Sequence, residues 1–137
     1  MRFFIIALGI FLISASAKNP CPALDSNGIF VYKIDQESSA VIRFYPDGIV
    51  LVSTSINDYS KVLTWFNRDP ENESRVLKGK YFVKPGKPSC SIRFNVEGET
   101  GKQKYKGVII DNSTLQLSIY NPGDHTSAQR TYKFIKP

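Results

Sequence analysis

One histidine, His125, would have to serve any mechanism that needs an imidazole base, because the 137-residue chain contains no other. It follows Asp124 in a polar stretch. A Ser-His-Asp triad also needs a positioned serine and a buried carboxylate, and the sequence identifies neither. One histidine and two cysteines give no spacing typical of a zinc site. We therefore expect no enzymatic activity, no bound metal and no cofactor.

The two cysteines, Cys21 and Cys90, could form a structural disulfide. An even number of cysteines favours a disulfide if the protein is exported to an oxidising compartment. Export is indicated by residues 1–17, which combine Arg2, an apolar run over 3–13 and small residues at the end, as a secretory signal peptide does. We expect residues 18–137 to form one secreted or periplasmic domain, with no transmembrane segment in the mature chain.

Basic residues form a third group that could bind a partner. Residues 75–106 carry nine positive and two negative side chains, and most of the basic ones fall on one face of three predicted strands. Such a patch attracts acidic glycans, lipid head groups or an acidic protein; alternatively, the lysines only solvate the sheet. Nucleic acid is disfavoured because Phe82 is the single aromatic residue on this face. The predicted patch consists of Lys78, Lys80, Lys84, Arg93, Lys102, Lys104 and Lys106.

The elements that must position these residues read as short β-strands. Apolar residues alternate with polar ones, or form continuous runs, between turns such as Pro46-Asp47-Gly48. The pattern predicts an all-β fold in which eight antiparallel strands form an up-and-down meander. Closure into a barrel would leave no free edge. The predicted strands span 29–34, 40–45, 49–55, 76–84, 89–97, 103–111, 114–120 and 130–136.

The turns of such a meander fall at two rims. Tight turns at 46–47, 85–88 and 111–113 share one rim. The longer connections at 35–39, 97–101 and 121–129 share the other, together with the segment between strands three and four. We therefore expect any binding mouth at the long-loop rim.

A short helix is predicted between strands three and four. The apolar residues there recur at i, i+3, i+4 and i+7, and Pro70 prevents the helix from continuing. This helix would cover the long-loop rim, either as a movable lid or as a fixed plug. The residues assigned to the lid are Tyr59, Trp65 and Phe66.

Aromatic side chains on the inward face suggest a ligand site inside the barrel. At eight strands the interior is either filled by side chains or holds one small ligand, and the sequence leaves both possibilities open. Aromatic walls with a few hydroxyl groups suit a small apolar or amphipathic ligand. The residues assigned to this site are Phe44, Tyr81, Phe94, Tyr105, Tyr132 and Phe134.

The segments LKGKY (77–81), QKYKGVII (103–110) and TYKFIK (131–136), after a signal peptide, resemble those of small exported lipocalin-like proteins of the calycin type, bacterial ones in particular. A lipocalin has Gly-x-Trp at its first strand, where this chain has Gly28-Ile29-Phe30. The resemblance implies a lipocalin-like barrel that binds a small ligand. The alternative is a protein-binding module or inhibitor that uses the basic outer face or the long-loop rim.

Overall fold

A computed structural model describes residues 21–137, so the predicted signal peptide (residues 1–17) lies outside the described part. Eight antiparallel strands pair in sequence order, and the last pairs with the first to close a barrel. The predicted fold class is therefore confirmed. The strands are β1 (Ile29–Lys33), β2 (Ser38–Phe44), β3 (Ile49–Ile56), β4 (Leu77–Lys84), β5 (Cys90–Gly98), β6 (Gly101–Asp111), β7 (Thr114–Asn121) and β8 (Thr126–Ile135).

Side-chain alternation builds the barrel wall in β4 to β8. In β5 every second residue from Cys90 to Val96 is buried and each residue between them is exposed. Successive side chains of a strand point to opposite faces of the sheet, so the apolar set of each strand meets those of its neighbours inside the barrel. Burying these side chains supplies the main driving force for folding.

Strands β1 to β3 are buried on both faces. Phe30 and Ile42 belong to the barrel interior, whereas Ile29, Val31 and Val41 belong to a second apolar cluster on the outside. The helix α1 (Val62–Trp65) covers that outer surface and is followed by a 3₁₀ helix, Pro70–Arg75. The barrel therefore has a second small core outside its wall.

The helix is where the sequence interpretation must be corrected. Val62 and Phe66 are buried in the outer cluster, and Tyr59, Leu63 and Trp65 pack against it. The helical stripe is therefore real, but it faces the wall of β1 to β3. The predicted lid residues, Tyr59, Trp65 and Phe66, therefore do not cover the rim. The stripe instead covers an apolar surface on the outside of the barrel, which is formed by Ile29, Val31, Val41 and Leu51.

One rim of the barrel is closed by the chain before β1. The disulfide between Cys21 and Cys90 joins this segment to the start of β5, and Leu24 packs against the interior cluster. The turns 45–48 and 85–89 lie at this rim, because they connect the strand ends nearest to it.

The opposite rim is built differently from the long-loop rim of the prediction. Residues 99–100 and 122–125 form short turns, and β8 begins at Thr126, four residues earlier than predicted. The residues Thr126 to Gln129 are exposed and lack an apolar alternation, but their backbones pair with β7. Only the segment between β3 and β4 is a long connection at this rim.

Two inward-facing glycines allow neighbouring strands to approach closely. A Cβ atom at Gly79 would lie 1.8 Å from the carbonyl oxygen of Asn95, and one at Gly107 would lie 1.9 Å from that of Gln116. Any other residue would force the strands apart, so glycine is required where the sheet bends to close. These are the glycines of the LKGKY and QKYKGVII segments.

Candidate functional site

The six aromatic residues assigned to a ligand site all belong to the interior cluster or pack against it. Four of them form one chain of ring contacts, in the order Tyr81, Phe44, Phe94 and Tyr105. The rings of Phe94 and Tyr105 are stacked with centroids 4.5 Å apart, and Phe44 meets Phe94 edge-on at 5.6 Å. Phe44 and Phe94 are at most 2% exposed. These rings therefore fill the middle of the barrel, and space for a ligand must be sought nearer a rim.

A cleft of about 370 Å³ opens at the rim opposite the disulfide. Its apolar lining comes from Ala40, Val52 and Leu77, which face inward from β2, β3 and β4. Its polar lining includes Gln103 and Tyr105 of β6, Thr100 of the β5–β6 turn, Arg75 and Arg130. We call this cleft the mouth.

Arg130 gives the mouth its charge. It pairs with Leu117 across β7 and β8, and the buried Leu117 faces inward, so Arg130 also faces inward. Its guanidinium carbon lies 4.9 Å from the centroid of the Tyr32 ring. Within residues 21–137 no aspartate or glutamate lines the mouth; Arg75 borders it, but its guanidinium carbon lies 4.3 Å from the centroid of the Trp65 ring, which packs on the outer cluster. A positive charge that faces inward without a carboxylate partner creates a favourable position for an anion.

The hydroxyl of Tyr132 lies beneath this layer. Tyr132 is fully buried, and its hydroxyl makes no hydrogen bond of regular geometry within residues 21–137, although Arg130 and Tyr105 lie close to it. Burial raises the pKa of Tyr132, and the hydrogen-bonding contact and charge of Arg130 oppose this shift. Tyr105, in contrast, donates a hydrogen bond of 2.5 Å to Gln103, and burial raises the pKa of its hydroxyl as well. Both hydroxyls therefore stay protonated, and that of Tyr132 can donate to a ligand, whereas that of Tyr105 donates to Gln103.

The unequal partners of the two tyrosines predict opposite effects on stability. Replacing Tyr132 by phenylalanine removes a buried hydroxyl that has no hydrogen bond of regular geometry, and is expected to raise the free energy of unfolding by about 1 kcal/mol. Replacing Tyr105 by phenylalanine removes a satisfied hydroxyl, leaves Gln103 without its donor and is expected to lower that free energy by about 1 kcal/mol. Urea unfolding of the two variants measures both changes. A loss of stability in Tyr132→Phe equal to that in Tyr105→Phe would contradict the assignment.

The predicted basic patch lies on the outer wall. All seven of its residues are exposed on β4, β5 and β6. The strand register places Arg93 opposite Lys106, and it aligns Lys80, Asn95 and Lys104 in one row across the three strands. One pair is neutralised, since Lys102 lies 3.6 Å from Glu97. The patch is therefore continuous across the three strands.

His125 lies in the turn between β7 and β8 and is exposed. It has a left-handed backbone with a φ of 57°, and its Nδ1 atom is 2.9 Å from the hydroxyl of Tyr120. Its neighbour Asp124 accepts hydrogen bonds from the backbone and side chain of Thr126, which lowers the pKa of that carboxyl. These contacts give the histidine and the carboxylate separate structural roles in the turn.

Sequence reasoning missed Arg130 and Gln103 in the mouth. The signal for Arg130 was available, because it shares the parity of Tyr132 and Phe134 in the last strand. An arginine was not expected to face the inside of an apolar barrel. Gln103 similarly shares the parity of Tyr105. Applying the alternation to polar residues would therefore have found both.

Together these features define the protein as a closed antiparallel β-barrel of eight strands with a filled middle, a charged mouth and a basic outer wall. Comparison of the chain with protein-family models, curated proteins and solved structures found no match. Among the residues that the structure describes, no helix is long and apolar enough to cross a bilayer.

Proposed function

We propose that this protein is an exported, lipocalin-like binding protein for a small amphipathic ligand with an anionic end. The proposal depends on one observation, the inward-facing Arg130 at a mouth whose lining, among the residues that the structure describes, contains no carboxylate. Taking an arginine out of water is unfavourable unless a counter-charge compensates it. A bound anion would supply that charge.

The lining of the mouth supports the amphipathic character of the ligand. Arg130 would bind the anionic group, while the hydroxyl of Tyr132 would donate a hydrogen bond to it. Val52 and Leu77 would contact an apolar portion. The 370 Å³ of the mouth lies near the lower end of the range for ligand sites, roughly 300–1,000 Å³, which favours a small molecule.

Export and binding without catalysis belong to the same proposal. The Cys21–Cys90 disulfide is typical of an oxidising compartment, and the apolar leader of residues 1–17 supports secretion or transfer to the periplasm. His125 is exposed and hydrogen-bonded to Tyr120 in the β7–β8 turn, whereas the groups that line the mouth act by charge and hydrogen bonding.

Binding of octanoate tests the proposal, with octanol as the uncharged ligand of equal chain length. Isothermal titration calorimetry with the mature protein is expected to show octanoate binding that Arg130→Gln weakens by about tenfold or more, because a charge-assisted contact is lost. Tyr132→Phe is expected to weaken it less. Octanol should bind more weakly than octanoate to the wild type.

The matched control is Lys136→Gln, which removes one basic charge outside the mouth and the basic patch. This variant should bind octanoate as the wild type does, since Lys136 is exposed just after the end of β8, at the rim opposite the mouth. Equal weakening by the two variants would assign the effect to net charge and would exclude the mouth as the site. Absence of octanoate binding to the wild type would exclude this ligand class.

A further inference from the structure

The outer wall carries a groove that is separate from the mouth. It has a volume of about 630 Å³ and crosses the outward faces of β5 to β8. The floor is formed by small residues: Ser118 and Ser127 face outward, and Ala128, which is opposite the inward-facing Ile119, borders them. Longer side chains, Arg93, Lys104, Lys106 and Tyr120, rise along its sides. Because small side chains lie between longer ones on neighbouring strands, the barrel wall, which is convex elsewhere, is concave here.

The cations of this groove are available to a partner. The ion pairs found in residues 21–137 join Arg68 to Asp47 and Lys102 to Glu97, so neither involves Arg93, Lys104 or Lys106. Arg93 lies with its guanidinium carbon 4.9 Å from the centroid of the Phe82 ring. A cation on an aromatic face keeps its charge and its donors free for an acceptor. In the described part of the chain, no aspartate or glutamate lines the groove.

Tyr120 provides a flat surface beside these charges. Its hydroxyl is 2.9 Å from His125 Nδ1, which restrains the ring, and its backbone position is directly opposite Lys104. Tyrosine presents a broad apolar face at a low cost in conformational entropy. The groove thus places an aromatic platform next to a row of free cations.

The closed barrel determines how a partner must be recognised here. Every strand from β5 to β8 is paired on both sides, so no edge is free to accept a peptide as an added strand. Recognition must come from side chains. Neutral donors and acceptors lie beside the cations and suit a ligand rich in hydroxyl groups; they are Asn95, Ser118, Ser127 and Gln129.

We infer that this groove binds an acidic oligosaccharide. Arg93, Lys104 and Lys106 bind its carboxylate or sulfate groups, the neutral side chains bind its hydroxyls, and Tyr120 packs against a sugar ring. This inference is independent of the mouth, because the groove occupies the outer face of the sheet.

The experiment compares a heparin tetrasaccharide with uncharged maltotetraose on the mature protein. The triple variant R93Q/K104Q/K106Q is expected to bind the heparin tetrasaccharide at least about tenfold more weakly than the wild type, because close charge contacts are lost. The matched control K33Q/K61Q/K136Q removes three exposed charges outside the groove and should bind within about twofold of the wild type. Maltotetraose should bind to none of the proteins.

Tyr120→Ala separates a built site from general attraction, because it leaves the net charge unchanged. It is expected to weaken binding about fivefold through loss of the aromatic platform. Equal weakening by the two triple variants, or an unchanged affinity in Tyr120→Ala, would overturn the inference. Binding of a tetraglutamate peptide as tight as that of the heparin tetrasaccharide would also overturn it. Thermal unfolding of each variant verifies that the barrel is intact.

Discussion

Replacement of Phe94 by alanine is expected to lower the free energy of unfolding by about 3–5 kcal/mol, the usual range for removing a buried aromatic side chain. Phe94 is 2% exposed and lies at the centre of the interior cluster, stacked on Tyr105 and edge-on to Phe44. The substitution removes both ring contacts and leaves a cavity that stiff neighbouring strands cannot fill. Urea or guanidinium unfolding, with extrapolation to water, measures the loss.

The matched control is Phe82→Ala on the adjacent strand. Phe82 is 54% exposed, and the register places it opposite Arg93, on the outer face. Its removal is expected to cost less than about 1 kcal/mol, because only the contact with Arg93 and part of a solvated surface are lost. Comparable losses in the two variants would mean that the assignment of inner and outer faces is incorrect.

Removal of the disulfide is the second substitution with a large expected effect. Cys21 and Cys90 are 69 positions apart, and in the chain-entropy account the cross-link of such a loop stabilises the folded state by about 4 kcal/mol. The variant C21S/C90S is therefore expected to unfold at a markedly lower denaturant concentration than the oxidised wild type. The release of the segment before β1 would also expose the interior near Leu24.

The reduced wild type provides the control for this variant. Chemical unfolding in the presence of a reducing agent should give a free energy close to that of C21S/C90S, and the reducing agent should not affect the variant. If the oxidised and reduced wild-type proteins unfold at the same denaturant concentration, the cross-link contributes no stability and the expectation is wrong.

The alternation of apolar and polar side chains predicted the barrel, because the two faces of each strand lie in different environments, the apolar interior and the solvent. In β4 and β5 each outward position is polar or solvated, so one face could be identified from the sequence alone. The pairing of Cys21 with Cys90 was also predictable, because the chain offers no other cysteine. These features depend on local periodicity and composition, both of which a single sequence contains.

The position of the helix could not be derived in the same way. The apolar stripe of the helix must pack on an apolar surface. The sequence allowed two such surfaces, the rim of the barrel and the outer wall of β1 to β3. The continuous apolar runs in those strands were compatible with burial on both sides, but periodicity alone does not identify what covers the second face. The choice depends on tertiary packing, which brings Val62 and Phe66 against Ile29 and Val41.

The mouth was missed for a different physical reason. The first four residues of β8 are exposed and contain no apolar alternation, so the strand was predicted to begin at Arg130. With Arg130 as the first residue of the predicted strand, the alternation was applied only to the aromatic residues that follow it. The structure continues the pairing to Thr126, which fixes Arg130 within the ladder and turns it inward.

The outer core also divides the barrel into two unequal halves. The backbone hydrogen bonds of β1 to β3 are shielded from solvent by side chains on both faces, whereas those of β6 to β8 have water along their outer side. Local opening requires water to reach these hydrogen bonds, so strands β6 to β8 should open at a lower free-energy cost than strands β1 to β3. We therefore expect local opening to occur mainly in the β7–β8 hairpin, which carries Arg130. Opening of this hairpin would let a ligand enter the mouth, while β1 to β3 stay rigid.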